Sequence, residues 1–591
     1  MTMKLAHTLA FSSFLLGTLP AVSPSVMAAT LPAVEARHAM VVSAQALAAQ
    51  VGADILKQGG NAIDAAVAVG YAEAVVNPCC GNIGGGGFMT LHLADGRDLF
   101  VDFRETAPAA ASANMYLTPE GNVRKGESMY GYRAVGVPGT VKGLTLVHRQ
   151  FGRLTRQQVM APAIKLAREG FVLTRADTDI MDAKVDLFRK DTETARIFLR
   201  PDGSAWQPGD RFVQRDLAHT LQAISAKGDE AFYQGRIPAA IAAASRQHGG
   251  LLTESDFARY EAKMRTPLSC DYRGYKVISA PPPSSGGVTL CETLNIMEGY
   301  DLTKSGFNSA ATLHVMTEAL RRAYADRNTY LGDPDFIDNP VSHLLDKHYA
   351  ATLRASITDR ATPSADIRPP ADLPERPETT HYSVMDEAGN AVSTTFTING
   401  RFGSGIIAPG TGFLLNDEMD DFTVKVGEQN SYGLVQGDRN AIAPNKRPLS
   451  SMAPTIVTYK GQVYMVIGTP GGSRIITTVL QTISNVIDHH MSLQEAVDAP
   501  RIHHQWWPDR IFYETRGLSA DTQAALKAQG YTLQEQTPWS GVAAIMKGLP
   551  DISEQSVESS GNDGVLSGKV RAGYVYGSND ARRPAGAAKG F

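Results

Sequence analysis

The chain has 591 residues, 43% hydrophobic and 20% charged, the makeup of a globular protein with ample core. At roughly 150 residues per domain the length alone would fit three or four domains. The net charge of −4 becomes −5 when a leader carrying only Lys4 is removed (−4 − 1), which argues against a general nucleic-acid scaffold.

Residues 1–29 read as a secretory signal. Lys4 marks a basic start, Leu9 to Leu19 is a short apolar run, and Val26-Met-Ala28-Ala29 offers small residues for cleavage. The run is too short for a membrane span, and no other stretch is apolar enough, so export to the periplasm without a membrane anchor is expected. The four cysteines, Cys79, Cys80, Cys270 and Cys291, are too few for a disulfide framework. A bond between the neighbours Cys79 and Cys80 is not expected, because it is strained and rare; Cys270–Cys291 is left open. No CxxC or HExxH pattern suggests a metal, and His489-His490 and His503-His504 read as structural.

Gln45 to Lys57 and Asn61 to Val76 predict two helices, the second almost wholly apolar and therefore buried. The run Gly81-Asn-Ile-Gly-Gly-Gly-Gly87 leads into a strand (Phe88 to Leu93) and lacks the Lys-Ser/Thr of a phosphate loop. It is therefore read as close backbone packing. Arg104 follows a strand, Leu99 to Phe103, in the context Asp-Phe-Arg-Glu-Thr-Ala-Pro. Residues 134–265 are mostly helical, and helices are predicted over Thr289 to Met297 and 311–328, the latter carrying Arg321, Arg322 and Asp326.

A Pro-rich, charged loop then runs abruptly into Glu378-Thr379-Thr380-His381-Tyr382-Ser383. Thr is an ordinary way to start a strand. If the Glu378–Thr379 bond is cut, however, Thr379 holds a hydroxyl nucleophile and a free α-amine on one residue. That amine titrates near pH ~8, against ~10.4 for Lys, so it can act as a base at neutral pH. His381 to Met385, a turn with Gly389, and Ala391 to Asn399 read as a hairpin. Pairing 386 with 390 sets Thr379 opposite Thr397 and puts Thr397 and Asn399 on its face. Ser393 and Thr395 belong to the same polar face, and Val392, Phe396 and Ile398 to the apolar one.

Further on, Glu418-Met-Asp-Asp421 is an acidic turn, Lys425 to Lys446 is a polar loop with Tyr432-Gly433 near its middle, and Ser450-Ser451 supply hydroxyls. Gly471-Gly472 open a helix whose bare N–H groups suit an oxyanion, each such donor typically being worth ~3–4 kcal/mol in a transition state. Leu549 to Gly568, rich in Ser, Glu and Asp, reads as an inserted surface loop.

Taken together, Thr379-Thr-His-Tyr-Ser383, Thr397-x-Asn399, Asn416-x-Glu418-Met-Asp-Asp421-Phe422, Pro448-Leu-Ser450-Ser451-Met452 and Gly468-Thr-Pro-Gly471-Gly472-Ser-Arg474 resemble the γ-glutamyltranspeptidase family of N-terminal nucleophile hydrolases. The likeness spans about His38 to Gly590. It implies an α+β, four-layer αββα sandwich made as one precursor, with a large chain (30–378) and a small chain (379–591) that stay together as a heterodimer. It implies that Arg104, with Ser450 and Ser451, holds a substrate α-carboxylate. Glu418 and Asp421, helped by Asn399, would hold its α-ammonium. Many bacterial relatives carry Gln at the Glu418 position; the extra negative charge should still suit an ammonium.

On this resemblance Tyr432 belongs to a lid over the substrate, which also fits a polar loop of this length beside a site. The expected reaction is γ-glutamyl transfer from glutathione to water, an amino acid or a dipeptide. Thr379 is the nucleophile, Thr397 polarises it, Gly471 and Gly472 hold the oxyanion, and no metal or cofactor takes part. The rivals are a glutaryl-type β-lactam side-chain acylase on the same fold and an inactive periplasmic binder of γ-glutamyl peptides.

Overall fold

The computed structural model describes residues 30–367, 379–428, 430–431, 433–552 and 570–591. The leader, Glu378, Tyr432 and most of the Ser-rich insertion lie outside the described residues.

Two seven-stranded antiparallel sheets form the middle of the molecule. One runs in the order Ala587–Gly590, Met40–Ser43, Thr380–Met385, Ala391–Thr397, Gly86–His92, Asp98–Asp102, Lys263–Arg265. The other runs Val34–Ala36, Val575–Asn579, Ala543–Lys547, Gln462–Gly468, Thr455–Tyr459, Tyr275–Ser279, Leu268–Tyr272. The outer face of the first sheet, with Tyr382, Val384, Val392 and Phe396, packs on the helices Ala46–Lys57 and Ala62–Val76. The second sheet buries Val277, Val457, Met465 and Ile467 against Gly286–Met297, Ala310–Tyr330 and Arg474–Ile487. Met40, Val42, Met385, Ile456, Val466 and Ile545 fill the space between the sheets. The expected αββα sandwich is the one observed.

Local sequence accounts for the pieces. Asn61 caps Ala62–Val76 in a reciprocal box with Asp64, a device worth about 1 kcal/mol. All of that helix is buried, as its near-continuous apolar run requires. The hairpin register is also as expected: Met385 pairs with Ala391 and Thr380 with Phe396, and Gly389 takes φ +95° in the turn.

The polar face of this hairpin serves a different purpose from the one its pattern suggested. Its Thr379 end lines a cavity. The rest lies between the sheets, where Ser383 Oγ donates to Ala543 O (3.0 Å) and Ser393 Oγ to Ile467 O (3.0 Å). Hydroxyls there tie one sheet to the carbonyls of the other. His381 belongs to this layer, hydrogen-bonded to Thr395 Oγ1 at 2.8 Å; burial lowers its pKa to about 3, so it is neutral.

The glycine run packs as expected. A Cβ on Gly85 would stand 1.8 Å from Thr397 O, and one on Gly84 2.0 Å from Leu414 O. Only bare backbone lets this segment lie against the strand that carries Thr397.

The cysteines correct the sequence reading. Cys79 and Cys80 are bonded to each other, and Cys270 is bonded to Cys291. The Cys79-Cys80 turn is clamped by Phe402 N to Cys79 O (2.8 Å) and Ile398 N to Cys80 O (3.2 Å). Both side chains are buried in that fixed turn, with each other as neighbours. The second bond ties the strand Leu268–Tyr272 to the helix Gly286–Met297.

Candidate active site

Thr379 stands at the head of a central strand, flanked by Met40–Ser43 and Ala391–Thr397. It is 5% exposed. One pocket brings it together with Arg104, Arg327, Thr397, Asn399, Glu418, Asp421, Ser450, Ser451, Gly472 and Leu434. On its other side Thr379 borders a second cavity with Asn77, Thr380, Arg401 and Arg583.

Nearly every predicted residue therefore converges on one pocket, from segments far apart in the chain. Gly471 stands apart. It lies one residue behind the wall, with φ +140°, where a Cβ would meet Ser540 Oγ at 2.4 Å. Gly472 has φ +55°, and the helix Arg474–Ile487 starts just beyond, with Arg474 N donating to Gly471 O (3.0 Å) and Ile475 N to Gly472 O (3.1 Å). Tyr432 and Glu378 cannot be placed, being outside the described residues. The loop that carries Tyr432 does reach the site, through Leu434.

The hydroxyls have defined surroundings. Thr397 Oγ1 accepts from Asn399 N (2.8 Å), and Asn399, at φ +69°, donates its side-chain amide to Asp417 O (2.9 Å). Ser450 Oγ accepts from Met452 N (3.1 Å), and Ser451 Oγ from Arg327 Nη2 (2.9 Å).

The charges pair differently from the simple expectation. Arg104 leaves the strand Asp98–Asp102 and is buried, with Nη1 on Glu418 and Nη2 on Asp421, while its Nε donates to Pro448 O (3.2 Å). The proposed carboxylate holder and the proposed ammonium holders thus meet each other. Burial works against the Arg104 cation, but Glu418, Asp421 and Glu105 outweigh it and hold its pKa above the usual value.

Glu105 adds a third acid, buried, with Oε2 at 3.8 Å from Arg104 Nη1. Burial pushes its pKa up to about 7, against the pull of Arg104, and burial also raises Glu418 well above the usual range. Both Glu105 oxygens and Glu418 Oε2 are buried without a hydrogen-bond partner among the described residues. Burial thus favours the protonated form of both acids, while the Arg104 cation favours the ionised one. Burial therefore works against the extra negative charge expected from Glu418 in place of Gln.

The acidic turn is rigid because Asn416, fully buried, donates to Gly84 O and Gly136 O (2.9 Å each) and accepts from Glu418 N (3.0 Å). Its backbone is held again where Gln436 and Asn440 donate to Asp421 O (3.1 and 2.7 Å).

Sequence reasoning missed Arg327. It marked the helix and its neighbours Arg321, Arg322 and Asp326 but gave this residue no role. The available signal was a helix with three arginines in seven positions beside apolar residues, all three of which are buried.

A four-layer αββα sandwich with a threonine at the head of a central strand, facing a charged pocket, defines the class of N-terminal nucleophile hydrolases. The sequence matches the family model described as gamma-glutamyltranspeptidase over residues 48–561, and the chain belongs to that family. It is 52% identical over 583 residues to the glutathione hydrolase proenzyme of Pseudomonas sp. (strain A14), covering 98% of this chain and 99% of the relative. It is 47% identical to the glutathione hydrolase proenzyme of Escherichia coli (strain K12), covering 90% and 92%. In structure it resembles the cephalosporin acylase of Bacillus halodurans, with a TM-score of 0.80, 26% identity and coverage of 98% and 99%.

Proposed function

We propose that the chain is a precursor that cuts itself between Glu378 and Thr379 and then transfers γ-glutamyl groups, with glutathione as the natural donor. Thr379 Oγ attacks the γ-carbonyl carbon, and its proton passes to the Thr379 α-amine. The C–N bond breaks, and the departing amine, cysteinylglycine in the case of glutathione, takes that proton. A γ-glutamyl ester remains on Thr379 until water, an amino acid or a dipeptide resolves it. Thr397 keeps its O–H turned from Asn399 N and toward the nucleophile. The Gly472 amide meets the oxyanion, and Gly471 behind it shapes the turn that presents that amide.

The observation that carries this reading is that Thr379 shares one pocket with both an arginine and two acids. A γ-glutamyl head group is a zwitterion, and this pocket offers opposite charges within a few ångströms. A glutaryl group has no ammonium to satisfy Asp421 and Glu418, which weighs against the acylase reading despite the shared fold. A γ-glutamyl-peptide binder would need no nucleophile in the pocket. We place the enzyme in the periplasm on the strength of residues 1–29; among the described residues no helix is long and apolar enough to cross a membrane.

The test is intact-mass analysis of purified protein, followed by incubation with glutathione and with γ-glutamyl-p-nitroanilide. Two masses that join at Glu378/Thr379, with release of free glutamate, are expected. Cut protein that turns over glutaryl-p-nitroanilide and not the γ-glutamyl compound would sink this reading in favour of the acylase.

A further inference from the structure

The helix Ala62–Val76 ends on Asn77, and the bonded pair Cys79–Cys80 follows just before the glycine run. The proposed chemistry makes no use of this bond, yet it lies close to the nucleophile. Cys80 and Asn77 line the second cavity that borders Thr379, a space of about 300 Å³. The residues on either side of Asn399 are held by the pair: Ile398 N donates to Cys80 O (3.2 Å) and Phe402 N to Cys79 O (2.8 Å). The next residue, Gly81, lies so near the nucleophile strand that a Cβ on it would stand 2.3 Å from Thr380 Cγ2.

Asn77 is arranged for the open form of the pair. Its Nδ2 donates to Glu73 Oε2 (2.8 Å) and to Thr380 Oγ1 (3.1 Å), which fixes the amide and turns Oδ1 toward Cys79 Sγ, 3.1 Å away. A disulfide sulfur carries no hydrogen, so this buried oxygen has no donor among the described residues while the bond stands. A buried acceptor left without a donor is costly, and a Cys79 thiol would supply one. Access governs thiol–disulfide exchange, and here the cavity provides it.

We propose that Cys79–Cys80 is a thiol-exchange site for small thiols that enter the cavity behind Thr379. This rests on the γ-glutamyl reading above, under which the enzyme meets glutathione and releases cysteinylglycine, both thiols. One thiolate attacks Cys80 Sγ, the S–S bond breaks, and Cys79 leaves as a thiolate. A second thiolate attacks the small thiol's sulfur in the mixed disulfide and frees Cys80. Two small thiols thus become one small disulfide, and the pair takes up their two electrons and two protons. Sulfurs that are no longer bonded must move apart, so the close-packed turn shifts, and with it the carbonyls that hold Ile398 and Phe402. Thr397 and Asn399 then lose their fixed place opposite Thr379, and turnover slows as thiol accumulates. The alternative is a structural bond that no thiol reaches.

The experiment uses the full-length chain as wild type, as a Cys79→Ala/Cys80→Ala double variant and as a Cys270→Ala/Cys291→Ala double variant. Each is incubated, folded, with cysteinylglycine, with glutathione, or with S-methylcysteinylglycine, which cannot exchange. One portion is capped with iodoacetamide and the capped positions are mapped by peptide mass. The other is freed of small molecules without air and assayed on γ-glutamyl-p-nitroanilide. Both thiols should open Cys79–Cys80 and leave Cys270–Cys291 closed, the smaller cysteinylglycine acting faster, and the thioether should do nothing. In wild type kcat/KM should then fall by about tenfold or more, and the disulfide of cysteinylglycine should restore it. The Cys79→Ala/Cys80→Ala variant should not respond to thiol. If that variant does not fold, Cys270→Ala/Cys291→Ala decides, by losing and regaining activity as wild type does. No capping at Cys79 and Cys80, opening without a change in kcat/KM, or a loss that persists in Cys79→Ala/Cys80→Ala overturns the proposal. A wild type inactive on γ-glutamyl-p-nitroanilide before any thiol is added would instead overturn the proposed function, and the capping map would still test the exchange.

Discussion

Thr379→Ala is expected to remain one uncut chain with no measurable turnover of γ-glutamyl-p-nitroanilide. On the proposed mechanism the residue acts twice. In the precursor its Oγ attacks the carbonyl carbon of Glu378, giving an ester that water opens. In the cut enzyme the same oxygen attacks the substrate, and the amine released by the first step serves as base. Losing a nucleophile in hydrolases of this logic lowers kcat by roughly 10⁶-fold. The fold should survive, because Thr379 sits at the end of the strand Thr380–Met385 and the pairing of that strand on both sides does not use its side chain. Thr379→Ser keeps hydroxyl and amine and should cut itself and turn over, more slowly. Intact mass and progress curves on the same samples are the measurements. An uncut Thr379→Ala protein with wild-type activity would end the mechanism.

Asp421→Asn should reduce kcat/KM for γ-glutamyl-p-nitroanilide by about 100-fold or more, since removing one partner of a buried charge pair costs about 3–5 kcal/mol. The more telling quantity is selectivity. A glutaryl group differs from a γ-glutamyl group by one ammonium, so the ratio of the two kcat/KM values should narrow by at least ~10-fold, equivalent to ~1.4 kcal/mol. Glu418→Gln should be the milder change, because burial already disfavours the charged form of Glu418 and an amide keeps its shape. An equal fall for both substrates in Asp421→Asn would assign Asp421 to holding Arg104 rather than to reading the ammonium. Wild type and both variants, each assayed on both p-nitroanilides, complete the measurement.

Much of the framework was legible from local pattern. The Asp386-to-Asn390 turn fixed the register that sets Thr379 against Thr397. The glycine run Gly81–Gly87 foretold close backbone packing, and its partners are Leu414 and Thr397. The site was legible as a set of short motifs, each next to its own strand or turn. Pairwise geometry was not legible. Arg104 meets Glu418 across 314 positions of sequence, and Arg327 meets Ser451 across 124, separations over which no periodicity carries information. The Cys79–Cys80 bond was misjudged for a related reason. The general rarity of such bonds says nothing of a particular turn clamped by Ile398 and Phe402, whose sequence partners are more than 300 residues away.

The sheet order has a consequence for the protein after processing. The nucleophile strand lies between Met40–Ser43 and Ala391–Thr397, and the last strand, Ala587–Gly590, lies outside Met40–Ser43. Val34–Ala36 likewise pairs with Val575–Asn579 in the other sheet. Segments from before and after position 379 alternate like shuffled cards, so neither piece owns a complete sheet. Before the cut, unfolding is a change within one molecule. After it, the same unfolding releases two molecules, and return depends on their meeting, so recovery is second order and favoured by concentration. The mature enzyme would then persist through slow unfolding more than through ready refolding. On the proposed mechanism, the cut that arms the nucleophile also makes folding a step taken once.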